Sequence, residues 1–152
     1  MKHIKKIYLF TFALLNLFSP ITSKQVQASI SLGELVDKIT ILTIKTERIL
    51  DPEKLKNVAT ELLLLQQLFN KHIDNNANIT QLMTELKTTN EQLWDIEDMI
   101  RAKERIKEFD NEFVQLARSV YITNDKRCSL KRNIDTLLGS EILEEKSYEA
   151  YL

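Results

Sequence analysis

Apolar residues recur along this chain at spacings of three and four, the period of an amphipathic helix, with no convincing period-two stretch to suggest a strand. The first clear row is Leu35, Ile39, Leu42 and Ile49, with Leu32 and Val36 beside it. Ser31-Leu32-Gly33-Glu34 precedes that row as a capping box, Ser31 serving as N-cap and Glu34 reaching back. Asp51-Pro52 then restarts a helix, with Asp51 as N-cap and Pro52 at the first helical position. Leu55, Val58, Leu62, Leu65 and Phe69 form its row, which fades near Ile73. The run Leu62-Leu63-Leu64-Leu65 is apolar round most of the helix and predicts burial on more than one side.

Asp74 to Asn78 reads as a loop, with Asn78 as N-cap of a third helix. In that helix Leu82, Leu86, Thr89, Leu93, Ile96 and Ile100 alternate spacings of four and three, a seam for packing against a near-antiparallel helix. The pattern continues to about Glu108. Asp110 caps a fourth helix carrying Phe113, Leu116, Ala117, Val120, Leu130, Ile134 and Leu137, which Gly139 closes. The tail, with Ile142, Tyr148 and Tyr151, folds back on the helices. Only two glycines and two prolines interrupt the whole chain, and they sit at these helix boundaries or in the leader. The pattern predicts an all-α protein: one antiparallel four-helix bundle over 29–152, with long third and fourth helices.

Residues 1–28 follow a different rule. Basic Met1-Lys-His-Ile-Lys-Lys6, an apolar run from Ile7 to Phe18 and a polar stretch ending Val26-Gln27-Ala28 make the three-part layout of a signal peptide. The run reaches only about 18 Å as a helix, short of the ~30 Å hydrocarbon core, so it predicts export to the periplasm or outside rather than a stable span. A cut after Ala28 fits. An uncleaved anchor or a misplaced start is the alternative, and a non-functional leader leaves the protein cytoplasmic. Loss of the leader's lysines, with no acid among residues 1–28, moves the formal charge from -1 to -5. That acidic body argues against nucleic acid as a partner, which needs a concentrated basic face.

Cys128 is the only cysteine, so no intrachain disulfide forms, and it reads as a small core residue or as a reactive thiol. His72 is the only histidine outside the leader; no metal site and no cofactor are expected. A Ser/His/Asp arrangement and a phosphate-cradling glycine loop are likewise without residues to build them.

Three constellations carry charge where a bundle usually carries grease. On the first helix Glu34, Asp37, Lys38, Lys45 and Arg48 form a stripe, either a solvated face laced by a Glu34–Lys38 pair or one wall of a site. On the third, Trp94-Asp95-Ile96-Glu97-Asp98 precedes Arg101, with which both Glu97 and Asp98 can pair; the alternative is an acidic cation site. On the fourth, Arg118, Tyr121, Asn124, Asp125, Arg127, Lys131 and Arg132 thin the apolar seam between Val120 and Leu130. Giving up burial worth ~25 cal/mol per Å² demands a return. An anion or sugar pocket supplies one, since guanidinium forks bind carboxylate and phosphate in bidentate fashion; an interhelix salt-bridge network supplies another. The candidate ligand-binding residues are Asp37, Lys38, Lys45, Arg48, Trp94, Asp98, Arg118, Tyr121, Asn124 and Arg127.

The segments Ser31-Leu-Gly-Glu-Leu-Val-Asp-Lys-Ile-Thr-Ile-Leu42, Leu93-Trp-Asp-Ile-Glu-Asp98, Leu116-Ala-Arg118, Val120-Tyr121 and Asn124-Asp125 together resemble a small bacterial all-helical family of unknown function. The resemblance covers most of 29–151 and implies the helical fold, with no chemistry attached. Members of that family begin near the segment matching Ile30 and lack a leader, so the N-terminal extension departs from the pattern. A weaker likeness runs to exported all-helical chorismate mutases, without a residue-by-residue match. The sequence thus points to a non-catalytic module that binds a partner protein or a small anionic molecule. The alternatives are a cofactor-free lyase or isomerase and a self-associating structural bundle.

Overall fold

Ser31 accepts a hydrogen bond from the Glu34 backbone N–H at 3.1 Å and so opens the first of four helices in the computed structural model, which describes residues 26–74 and 76–149. These are α1 (Leu32–Arg48), α2 (Pro52–His72), α3 (Ala77–Ile106) and α4 (Asn111–Leu138), with no strand among the described residues. The predicted leader falls almost wholly outside them, as does Tyr151.

Local chemistry sets the boundaries. Asp51 accepts from the N–H groups of Glu53 and Lys54, and Pro52 starts α2 where no N–H is needed. The third helix begins two residues earlier than its sequence suggests: Asn76, not Asn78, is the N-cap, its side chain accepting from Asn78 and Ile79. Asn76 is two and three residues before its donors, the geometry a side-chain cap requires. At the far end Lys107 turns left-handed (φ 57°) and ends α3 at Ile106, short of the predicted Glu108. Lys103 then clamps the turn to α4 by pairing with Glu108, Asp110 and Glu112, while Phe109 meets Phe113 edge to face at 5.2 Å. Gly139, at φ 66°, closes α4.

α1 is the hub, packing against α2, α3 and α4, and the long helices α3 and α4 pack on each other. Val36, Ile79, Leu86 and Ile134 are fully buried at the centre, with Leu35, Ile39, Phe69, Ile73 and Leu130 around them. Burying each such side chain contributes ~1.5–3 kcal/mol. The seam of α3 faces inward as its spacing predicts: Leu86, Thr89 and Leu93 are buried, and Leu82, Ile96 and Ile100 half-buried.

The leucine run of α2 departs from expectation. Leu62 and Leu65 pack on the core, but Leu63 and Leu64 are 57% and 46% exposed. α2 lies closest to α1, with Phe69 reaching the core residues of α3, so Leu63 and Leu64 on its other side face solvent.

Gly33 has a steric purpose. A Cβ there would run into the carbonyl oxygen of Lys131 and meet Asp135 Oδ2 at 3.0 Å, so glycine is what lets the first turn of α1 touch α4. In that crossing the buried Asp135 accepts from the Gly33 N–H at 2.6 Å, and Ser140 Oγ accepts from Leu32 N–H at 3.3 Å. Both satisfy first-turn donors that a helix cannot satisfy itself.

Candidate functional site

Asp37 lies on the inward face of α1 between Val36 and Ile39, with its side chain 1% exposed. A bare carboxylate is costly at such a position unless it is paired and hydrogen-bonded. Both conditions are met from neighbouring helices. Arg127 on α4 presents Nε to Oδ1 at 2.9 Å and Nη2 to Oδ2 at 2.5 Å, a bidentate fork. Asn90 on α3 donates through Nδ2 to Asp37 Oδ1 and to Thr40 Oγ1, each at 2.9 Å. The Thr40 hydroxyl in turn donates to the Asp37 carbonyl at 2.8 Å. Hydrogen bonding to Asp37 raises the Arg127 pKa further above its already high value, so the guanidinium stays charged. Among the described residues no buried side-chain nitrogen or oxygen lacks a partner.

The outer side of this network forms the floor of a cleft of about 390 Å³ between α1, α3 and α4. Ile41 and Ile44 come from α1, and Asn124 and Arg127 from α4. The α3 wall is longer, running from Asn90 through Leu93, Trp94, Glu97 and Asp98 to Arg101. Arg48 braces Trp94 from outside: its guanidinium stands 5.7 Å from the indole centroid and pairs with Asp95, which raises its pKa. Arg101 pairs with Glu97 at 2.8 Å. Asp98 makes no hydrogen bond or ion pair with any described residue; its influence is a field felt by Arg48. The pairing of Arg101 expected from both acids therefore comes from Glu97 alone.

Of the residues singled out in the sequence, the structure gathers Asp37, Trp94, Asp98, Asn124 and Arg127 at the cleft, with Arg48 behind the indole. Lys38 points elsewhere and pairs with Glu61 of α2 at 2.9 Å, so the predicted Glu34–Lys38 pair does not form. Glu34 reaches across to Lys131 at 2.7 Å instead, which also leaves its capping role to Ser31. Lys45 and the exposed Arg118 lie outside the cleft lining. Tyr121 borders a second hollow on the other flank of α4, about 580 Å³, whose far wall is the tail at Lys146 and Tyr148. Asn124 lines both hollows.

Asn90 and Thr40 were not singled out by sequence reasoning. Asn90 lies four residues beyond Leu86 and three before Leu93, so it shares the seam's face, and that spacing is the signal that marks it.

The tail from Ser140 onward folds back along α4. Lys131, buried, holds Glu144 as well as Glu34, and Arg132 pairs with Glu145 at 3.0 Å. Burial pushes the Lys131 ammonium down, but its bonds to Glu144 and Glu34 outweigh that and leave the pKa raised. The same contact lowers Glu144. Cys128 is half-buried rather than in the core and faces Lys146 of the tail, whose pKa it raises. Among the described residues no group of three or more His, Cys, Asp or Glu is placed to hold a metal ion, and no helix is long and apolar enough to cross a membrane.

No curated protein and no solved structure matches the chain. Residues 26–152 match the family of unknown function DUF6165, and with that span the chain belongs to this family.

Proposed function

We propose that this protein is a non-catalytic binding module, exported as an antiparallel helical bundle, that takes a small ligand bearing an anionic group into the cleft between α1, α3 and α4. One observation carries the reading. Arg127 is fixed by a buried carboxylate through Nε and Nη2, which leaves Nη1 without a hydrogen-bond partner among the described residues, on a side chain that lines the cleft. A guanidinium held this way is preorganised for a second acceptor and loses little freedom on binding one. Asn124 beside it adds an amide. The volume lies near the lower end of small-ligand pockets, ~300–1,000 Å³.

The bundle reading is supported by the order of contacts, in which Gly33, Glu34 and Asp37 of α1 meet Asp135, Lys131 and Arg127 of α4 in reverse sequence. Export is supported by the layout of residues 1–28 and is tested by N-terminal sequencing of protein recovered outside the cytoplasm; an intact Met1 there counts against cleavage. A lyase or isomerase of the chorismate-mutase kind has less in its favour, because no residue-by-residue match to those enzymes supports it. Chorismate turnover no faster than background removes it.

Trp94 is the only tryptophan in the chain and lines the cleft, so its emission reports occupancy. Titration with phosphate, dicarboxylates, sugar phosphates and amino acids is expected to give a saturable change with at least one class. Asn124→Phe, which fills the cleft, abolishes that change. Silence across the panel, or a response that survives Asn124→Phe, overturns the reading.

A second reading has its own observation. Leu63, Leu64 and Leu68 on α2 are exposed together, an apolar face suited to a second copy or a partner protein. Sedimentation over a range of concentrations tests self-association, and a persistent monomer counts against it.

A further inference from the structure

The geometry points to a zwitterionic ligand of the amino-acid class, with its carboxylate at Arg127 and its ammonium at Asp98 beside Trp94. This rests on the proposed binding role of the cleft and narrows its ligand.

The charges lining the cleft balance in number, but they are not equally engaged. Arg101 is committed to Glu97 and Arg127 to Asp37. Asp98 alone among the four lining charges has no ion pair or hydrogen bond with a described residue. A purely anionic ligand would meet that carboxylate as a repulsive neighbour. It would also meet an Arg127 already neutralised by Asp37. The net field of the cleft therefore gives an anion little reason to enter unless it carries a positive group as well.

The place for that group is built on α3. Trp94 and Asp98 are four residues apart, hence on one face of the helix, so an aromatic ring and an uncommitted carboxylate stand side by side. Ring faces attract cations, and a carboxylate beside the ring adds the countercharge. The indole already accepts one cation, since the Arg48 guanidinium lies over it. Across the cleft, Arg127 Nη1 and the Asn124 amide supply donors to a carboxylate. Ile41, Ile44 and Leu93 supply aliphatic surface for the body of the ligand between them.

Three compounds separate the parts: phenylalanine, its deaminated carboxylate 3-phenylpropionate, and its decarboxylated amine phenethylamine. Trp94 emission is read for each, with calorimetry as a second measure. Phenylalanine is expected to bind at least about tenfold more tightly than either single-charge compound, a difference of ~1.4 kcal/mol. Asp98→Asn is expected to weaken phenylalanine about tenfold and not to weaken 3-phenylpropionate, which loses a repulsive neighbour; Asp98 is exposed, so the variant keeps its fold, which an unchanged thermal midpoint verifies. If 3-phenylpropionate binds as tightly as phenylalanine, or Asp98→Asn alters neither, the zwitterion inference falls while the cleft stands as an anion site. If none of the three binds, the inference falls too, and the wider panel described above then decides the fate of the cleft itself.

Discussion

The Asp37 carboxylate of α1 is held on both oxygens by the guanidinium of Arg127, ninety residues further along the chain. Three helices meet at this pair, because Asn90 of α3 shares one of the same oxygens. The interior is therefore neither the unbroken apolar seam of a simple bundle nor an open charged pocket. Beside the apolar core around Val36, Ile79, Leu86 and Ile134 it holds a satisfied polar cluster with one side turned to a cleft.

Removing one partner strands the other. Asp37→Ala is expected to cost about 3–5 kcal/mol in urea unfolding, since Arg127 is left half-buried without its countercharge. Arg127→Ala leaves the more deeply buried Asp37 uncompensated and should cost no less. The double variant Asp37→Ala with Arg127→Ala should lose less than the two single losses together. Strict additivity would show that the pair is not coupled.

Asn90 offers a finer probe. Asn90→Ala removes donors from both Asp37 and Thr40 and is expected to destabilise by about 1–3 kcal/mol. Asn90→Asp is nearly isosteric but sets a second carboxylate against Asp37, so it should be the worse of the two at neutral pH. It should recover part of its loss on acidification, as one of the two acids takes a proton. Thermal midpoints at neutral and acidic pH compare them.

Gly33 tests the crossing of α1 and α4. Gly33→Ala normally favours a helix, yet here the added methyl collides with the Lys131 carbonyl. The expected result is a net loss of about 1–3 kcal/mol despite the gain in helix propensity. A stabilised variant would mean that the two helices separate easily.

The tail contact has a predictable pH dependence. Glu144 is held below its ordinary value of 4.5 by Lys131, so its contribution is fully present above that value and is lost as pH falls through the lower folded value. Lys131 is raised, so its contribution is present below its ordinary value of 10.5 and fades as pH climbs through the higher folded value. Proteolysis of the tail should therefore accelerate at both extremes and be slowest between them. Glu144→Gln should flatten the acidic limb, and an unchanged acidic limb in that variant would assign the effect to other carboxylates.

Much of this architecture was legible because it is local. Ser31, Asp51 and Asp110 cap helices within three residues of their own positions, and Gly139 closes one by a backbone conformation few other residues adopt. The seam of α3 was readable for a similar reason, as a fixed period places Leu86, Thr89 and Leu93 on one face. The leucine run of α2 shows the limit. Apolarity says that a face can be buried, and Leu63 and Leu64 stay exposed because α2 turns its Leu62, Leu65 and Phe69 side to the rest of the protein.

The site divides in the same way. The sequence by itself determined that charges interrupt the seams of the first, third and fourth helices, and it put Asp37, Trp94, Asp98, Asn124 and Arg127 among the residues of interest. Only the tertiary structure decided which charges meet. Lys38 turns to Glu61, Glu34 to Lys131, and Arg127 to Asp37, pairings between residues distant in the chain. Helical periodicity fixes the direction in which a side chain leaves its own helix, but the partner it finds depends on how separate helices cross. That crossing is set by the fit of whole surfaces, down to a missing Cβ at Gly33.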